Sequence, residues 1–189
     1  MNETQQEEES IFPETEIVFA KFWTRLGAYL IDSIIISVVT LPVTYINVTS
    51  WKLASFFILT SLVELAYKPF MEFKFGATLG KMAVHIRVVG NQFEKVTLTE
   101  ELKRVSFYLI PGILQSIFTL RIYFNDTLKT ITNFNEYNQY VVALNPATVW
   151  VVVIVLILFI ADVMVFFSNP ENRSLHDIYA GTYVIEKRF

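Results

Sequence analysis

Cysteine is absent from the 189-residue chain, and only two histidines are present. The first absence excludes a disulfide scaffold, thiol catalysis and every cysteine-held zinc or iron–sulfur centre. Two imidazoles make no convincing metal centre either. Charge is scarce too: 17% of residues are Asp, Glu, Lys or Arg, against about 25% in a typical soluble domain. So little polar surface does not cover a globule in water. Hydrophobic residues make up 53% and aromatics 15%, which excludes disorder and collagen. What remains is an integral membrane protein, expected in the plasma (inner) membrane with the lipid bilayer as its first partner. No Ser-His-Asp or His-x-x-x-His set occurs, and the glycines from Gly76 to Gly80 lack phosphate-loop spacing. No enzyme activity, cofactor or nucleic-acid partner is expected.

A hydrocarbon core about 30 Å thick needs about 20 residues of helix to cross it. Four stretches qualify: about Phe22 to Ile46, Trp51 to Phe70, Arg104 to Tyr123 and Ala147 to Phe167. The first is too long to be a removable signal peptide and ends in no small-residue cleavage site. Twelve of the 15 basic residues fall before the first stretch, between the second and third, or after the fourth, counting Arg25, Lys68 and Arg104 in the adjoining end turns. The positive-inside rule then places both termini in the cytoplasm. The fold class expected is an all-α membrane protein, with four transmembrane helices and short β-prone segments at the cytoplasmic face.

Residues 1–18 read as an acidic, disordered cytoplasmic leader, because Glu3, Glu7, Glu8, Glu9, Glu14 and Glu16 meet no Lys or Arg in the first 16 positions. Residues 19–189 form the membrane domain. Gly76 to Lys81 read as a turn opening a short interfacial helix. Val84, Ile86 and Val88 alternate with His85 and Arg87, the period of a half-buried strand. Gly90-Asn91 precedes a second β-prone run around Lys95 to Leu98, and Thr182 to Ile185 is a third. Open strands do not survive in lipid, so all three belong at the cytoplasmic surface. Asn125 to Asn145 form an outer loop without clear pattern. Asn47-Val48-Thr49 and Asn125-Asp126-Thr127 fit the glycosylation sequon.

Charges inside the apolar stretches carry the functional information, since an ionised side chain at mid-membrane costs at least about 2.5–3.5 kcal/mol. Asp32 lies about 15 Å beyond Phe22 along a helix, and Arg25 precedes it by two turns on the same face. The two form either a buried ion pair that fixes packing or part of a cation or proton site. Glu64 stands four residues before Lys68, a favourable order for a helical pair. Asp162 has no basic neighbour within a turn of its own helix, so it looks to another helix or is protonated. His85 reads as facing solvent, and Pro111-Gly112 predicts a kink.

Three ordered motifs carry a resemblance. Phe22-Trp23-Thr24-Arg25-Leu26-Gly27-Ala28-Tyr29-Leu30-Ile31-Asp32 resembles the opening motif of the RDD family, small membrane proteins named for one arginine and two aspartates. Gly76-Ala77-Thr78-Leu79-Gly80-Lys81, followed by Ile86-Arg87-Val88-Val89, is similar to its middle motif. Arg173-Ser174-Leu175-His176-Asp177-Ile178-Tyr179-Ala180-Gly181-Thr182-Tyr183-Val184 is similar to its closing motif. The resemblance makes Arg25, Asp32 and Asp177 the name-giving residues and Gly80, Lys81, Arg173 and His176 motif residues. His85 stands where many members have glycine, and Met82 where a basic residue is usual. The resemblance implies sodium–proton exchange or related transport for some members, and an accessory role beside a membrane-protein partner for others. A carrier with so few spans points to a homo-oligomer, with Na+ or H+ as the ion. With Arg173, His176 and Asp177 at the inner face, Asp177 meets Arg25 across helices. That contact is either a clasp on the C-terminal segment or the start of a proton or cation path from Asp177 through Arg25 to Asp32.

Overall fold

The computed structural model describes residues 17–186. The acidic run over residues 1–16 lies outside them, as do Lys187 and Arg188 of the charge count. In chain order the elements are α1 (Phe22–Ile46), α2 (Ala54–Phe75), α3 (Leu79–Ala83), β1 (Ile86–Val89), α4 (Leu98–Tyr123), α5 (Phe134–Leu144), α6 (Ala147–Ser168), α7 (Leu175–Ala180) and β2 (Tyr183–Glu186).

Among the described residues three helices, not the expected four, are long and apolar enough to cross a membrane. They are α1 with its π-helical extension to Trp51, α4 and α6. The correction falls on α2. It is as long as α6, but from its midpoint onward it carries Glu64, Lys68, Glu72 and Lys74. Two of these charges turn inward: the Lys68 ammonium lies 4.8 Å from the centre of the Tyr108 ring, and Glu72 is fully buried. These charges bring its composition below that of a membrane span, and the two inward ones are accommodated by protein. Apolar residues such as Leu30, Ile34 and Val38 on α1, and Val152, Leu156 and Phe159 on α6, are exposed. Lipid is the solvent that accepts such surface.

The two ends of the bundle are tied differently. At one end β1 and β2 pair antiparallel, with Arg87 opposite Ile185 and Val88 opposite Val184. Phe19 bridges Ile185 from the N-terminal side, and Val18 accepts a bond from Glu186 N–H at 2.8 Å. Both described ends therefore lie on this face. Ala20, Ala28, Ile86, Val88, Val96 and Val184 form a small closed core beneath the sheet. The β-prone run at Lys95 to Leu98 forms no strand. Thr97 instead caps α4 in a reciprocal box with Glu100, a local signal that outweighs a two-residue alternation.

At the other end α1 runs into the π-helical turn Asn47–Trp51. Asn47 is buried there, accepting from Leu53 N–H at 2.9 Å and donating to the Leu53 carbonyl and the Tyr123 hydroxyl. Its amide is thereby occupied, which removes it as a sugar acceptor. The outer loop is not patternless: a 3-10 turn (Asp126–Thr130) and α5 fill it. Val48, Ile122, Leu128, Ile131 and Tyr137 make a second core.

Candidate functional site

The polar residues of α1, α2, α4 and α6 meet the short helices α3 and α7 at the sheet end, and three connected knots result. The first forms around Asp32. Its Oδ1 accepts from the Tyr67 hydroxyl and from Gly80 N–H, each at 2.7 Å, and its Oδ2 accepts from the Thr78 hydroxyl at 2.6 Å. Thr78 is the N-cap of α3 and accepts from Lys81 N–H. Asp32 thus supplies a second cap from a neighbouring helix, where unpaired N–H groups and the helix dipole favour an anion. Gly80 is what lets α3 come this close. A Cβ there would lie 2.1 Å from the Ala28 carbonyl oxygen and 2.9 Å from Asp32 Oδ1. Arg25 does not touch Asp32, so the expected path from Arg25 to Asp32 has no direct step.

The second knot is a chain of alternating charges. The Lys81 ammonium lies 2.7 Å from Glu72 Oε1, and Arg104 lies 2.9 Å from Glu72 Oε2. The other terminal nitrogen of Arg104 is 3.2 Å from Asp177 Oδ1, and Arg25 donates to Asp177 Oδ2. Arg25 also donates to the Asn172 carbonyl at 2.7 Å and stacks over the Phe166 ring at 5.1 Å. Glu72 and Asp177 are fully buried, and Arg104 nearly so. Burial pushes the Asp177 carboxyl up, but Arg104 and Arg25 together outweigh it and hold the group well below its ordinary value. Burial, then Arg104, pull the Lys81 ammonium down to about 8, against the opposing charge of Glu72.

The third knot joins α6 to α7. Asp162 Oδ1 accepts from His176 N–H at 3.2 Å and lies 2.7 Å from His176 Nδ1. Burial lowers the His176 imidazole more than Asp177 and Asp162 raise it. A neutral ring protonated at Nδ1 donates to Asp162. Ser174 and Asp177 complete a capping box on α7. The two short helices are built alike: a hydroxyl cap (Thr78, Ser174), an acid from a long helix on the second N–H (Asp32 to Gly80, Asp162 to His176), and a charge at the third position (Lys81, Asp177). Arg173 sits beside this knot, its guanidinium 4.2 Å from the centre of the Tyr183 ring and 3.7 Å from Glu171.

Of the residues singled out from sequence, the geometry brings together Arg25, Asp177, Lys81, His176 and Asp162, with Asp32 and Gly80 adjoining at α3. Glu64 stays apart: it is exposed on α2 and forms no ion pair with Lys68. Their i,i+4 spacing is overruled because Lys68 turns inward to Tyr108. Three central residues had not been singled out, namely Glu72, Arg104 and Glu101. Glu101 is wholly buried, and neither of its carboxylate oxygens has a hydrogen-bond partner among the described residues. The charges that bear on it are Glu72, Arg104, Lys68 and Lys81. A signal existed: Lys68 and Glu72 stand four apart on α2, while Glu101, Arg104 and Tyr108 recur at three and four on α4, so each set shares one helix face.

His85 is exposed and holds a left-handed backbone, φ +58°, a conformation in which glycine is the unstrained choice. No group of three or more His, Asp and Glu among the described residues is placed to hold a metal ion.

The fold defines a multi-spanning membrane protein with a charged cluster buried at one end. Residues 19–181 match the RDD family, and the chain belongs to it. Members of that family are not known as catalytic enzymes. No curated protein and no solved structure matches the chain.

Proposed function

We propose that this RDD-family protein is a proton- or alkali-cation-coupled carrier of the plasma membrane, whose binding centre is the buried cluster around Glu72, Glu101, Arg104 and Asp177. Glu101 carries the reading. Asp32, Asp162, Asp177 and Glu72 each have donors or cations that satisfy them, and a structural clasp needs nothing further. An additional buried carboxyl with no donor is costly. Such a group fits the uptake of a proton or a cation. Lys81, lowered toward neutrality, adds a second group able to change charge near physiological pH. The sheet end is the cytoplasmic face on this reading. The basic residues from Lys21 to Arg25, Lys68 to Arg104 and at Arg173 favour it, as does the shared position of both described ends.

A second reading, an accessory or scaffold subunit held by the clasp, draws on one observation. The chain Lys81–Glu72–Arg104–Asp177–Arg25 ties α3, α2, α4, α7 and α1 into one unit. Reconstitution into proteoliposomes separates the readings. Flux of protons, sodium or potassium above that of empty vesicles under an imposed gradient supports the carrier. Absence of flux across that panel, with a stable stoichiometric partner in detergent extracts, supports the scaffold.

A further inference from the structure

The side of α4 that faces α2 carries more polar atoms than its neighbours satisfy. Both carboxylate oxygens of Glu101, Nε of Arg104, the Tyr108 hydroxyl and Oε1 of Gln115 are buried without a hydrogen-bond partner among the described residues. At 3.6 residues per turn these four positions fall within an arc of about 60°, and the row from Glu101 to Gln115 is about 21 Å long. Pro111 lies along the same stretch and lacks an N–H, so the Phe107 carbonyl loses its helical donor. Buried polar groups without a protein partner are characteristically served by bound water. One apolar step interrupts the row. A Cβ on Gly112 would lie 2.6 Å from Leu65 Cδ2, so Leu65 rests on Gly112 between the levels of Tyr108 and Gln115.

We propose that the seam between α2 and α4 is a hydrated proton path into the membrane, with Glu101 as its proton-exchanging end and Leu65 against Gly112 as its one dry constriction. The groups facing that end are Lys68 and Glu72 of α2, Lys81 of α3, and Arg104 and Tyr108 of α4, with Asp177 of α7 beyond Arg104. When the Glu101 carboxylic acid passes its proton to a water oxygen, a carboxylate is left behind. The positive charges of Lys68, Lys81 and Arg104 offset it. Reprotonation from either side closes the step. Tyr108 and Gln115 contribute hydroxyl and amide groups that hold the water in line. Lys68, stacked on the Tyr108 ring, sets a positive charge beside the Glu101 end and favours its carboxylate.

The path rests on the carrier reading for its use and on the orphaned atoms for its existence, so the test keeps the two apart. In liposomes of neutral phospholipid, water-edited solid-state NMR of the full-length wild-type chain follows magnetisation from water to the Gln115 side-chain amide. Transfer as fast as to an exposed amide such as Gln139 is expected. Transfer no faster than to apolar residues of α6 overturns the proposal, and needs no variant to fold. Proton leak across the same vesicles, read with an internal pH dye, supplies the second arm. Leu65→Ala raises the leak above wild type, and adding Glu101→Gln abolishes the rise. A Leu65→Ala leak that survives Glu101→Gln overturns Glu101 as the exchanging end. A hydrated Gln115 in a protein that drives no cation flux supports the path while defeating the carrier. Cation flux with a dry Gln115 does the reverse.

Discussion

Exchanging the charges of Arg25 and Asp177 distinguishes an isolated ion pair from a shared one. A lone pair is rescued by reversal, because Arg25→Asp combined with Asp177→Arg restores one positive and one negative charge. Here Asp177 serves two arginines: Arg25 on Oδ2, and Arg104, 3.2 Å away, on Oδ1. An arginine at 177 therefore meets Arg104 in a buried site whose remaining acid, Glu72, is already shared with Lys81. Removing one partner of a buried pair costs about 3–5 kcal/mol, a large share of the roughly 5–15 kcal/mol that holds a domain together. Asp177→Asn should fall in that range, since Asn neither neutralises two guanidiniums nor closes the capping box on α7 as strongly. Arg25→Gln should cost less, because Arg104 still neutralises Asp177. The double exchange should give no more folded protein than Arg25→Asp alone. Folded yield by size exclusion in detergent, with unfolding free energies by denaturant titration of the single variants, is the assay. Recovery of the double exchange to wild-type yield, or an Asp177→Asn cost below about 0.5 kcal/mol, would refute the shared pair.

Other consequences follow from the same geometry. Gly80→Ala should force α3 off α1, since its Cβ would lie 2.1 Å from the Ala28 oxygen; thermal unfolding in detergent should show a fall of several degrees or loss of folded protein. Asp32→Asn should not be silent: an amide nitrogen facing Tyr67, Thr78 or Gly80 loses an acceptor, at about 1–3 kcal/mol, measurable by denaturant unfolding. Lys81 sits near 8 in the folded chain and near 10.5 when unfolded, so the folded state holds fewer protons between those values. Stability should rise with pH across that window, and the rise should vanish in Lys81→Met. Asp177 works in the opposite range. Its depressed folded value makes its contribution complete above about pH 4 and lost as the pH falls through the folded value, a decline that Asp177→Asn should flatten.

Reading from sequence reached the motifs and the long helices but not the wiring between them. Caps and apolar runs are local, so α1, α4, α6 and the [Ser/Thr]-Leu starts of α3 and α7 can be placed from a few neighbouring residues. The span that failed, α2, shows the limit. Its charges are compatible with an apolar setting only because Lys68 meets Tyr108 and Glu72 meets Lys81 and Arg104, and the two contacts with α4 cross 30 or more positions of chain. Arg25 and Asp177, 152 positions apart, were paired through family motifs and topology, not through any local pattern. Asp162 showed only its lack of a partner on its own helix; its acceptor role toward His176 depends on how α7 folds back. Glu101 escaped notice because its spacing to Glu100 and Lys103 reads as the solvated first turn of a helix, where acids are favoured. Its burial is decided by the distant elements that pack on α4, α2 and α7 among them.

The measurement that bears most directly on the carrier is gradient-driven flux in proteoliposomes, comparing wild type, Glu101→Gln and Glu100→Gln. Glu100 lies one residue away in the exposed capping box, and Gln preserves that box. The account predicts proton-coupled cation flux in wild type and Glu100→Gln, and none in a Glu101→Gln protein that remains folded and monodisperse. Flux in Glu101→Gln equal to wild type, or no flux in wild type for any cation of the panel, would contradict it.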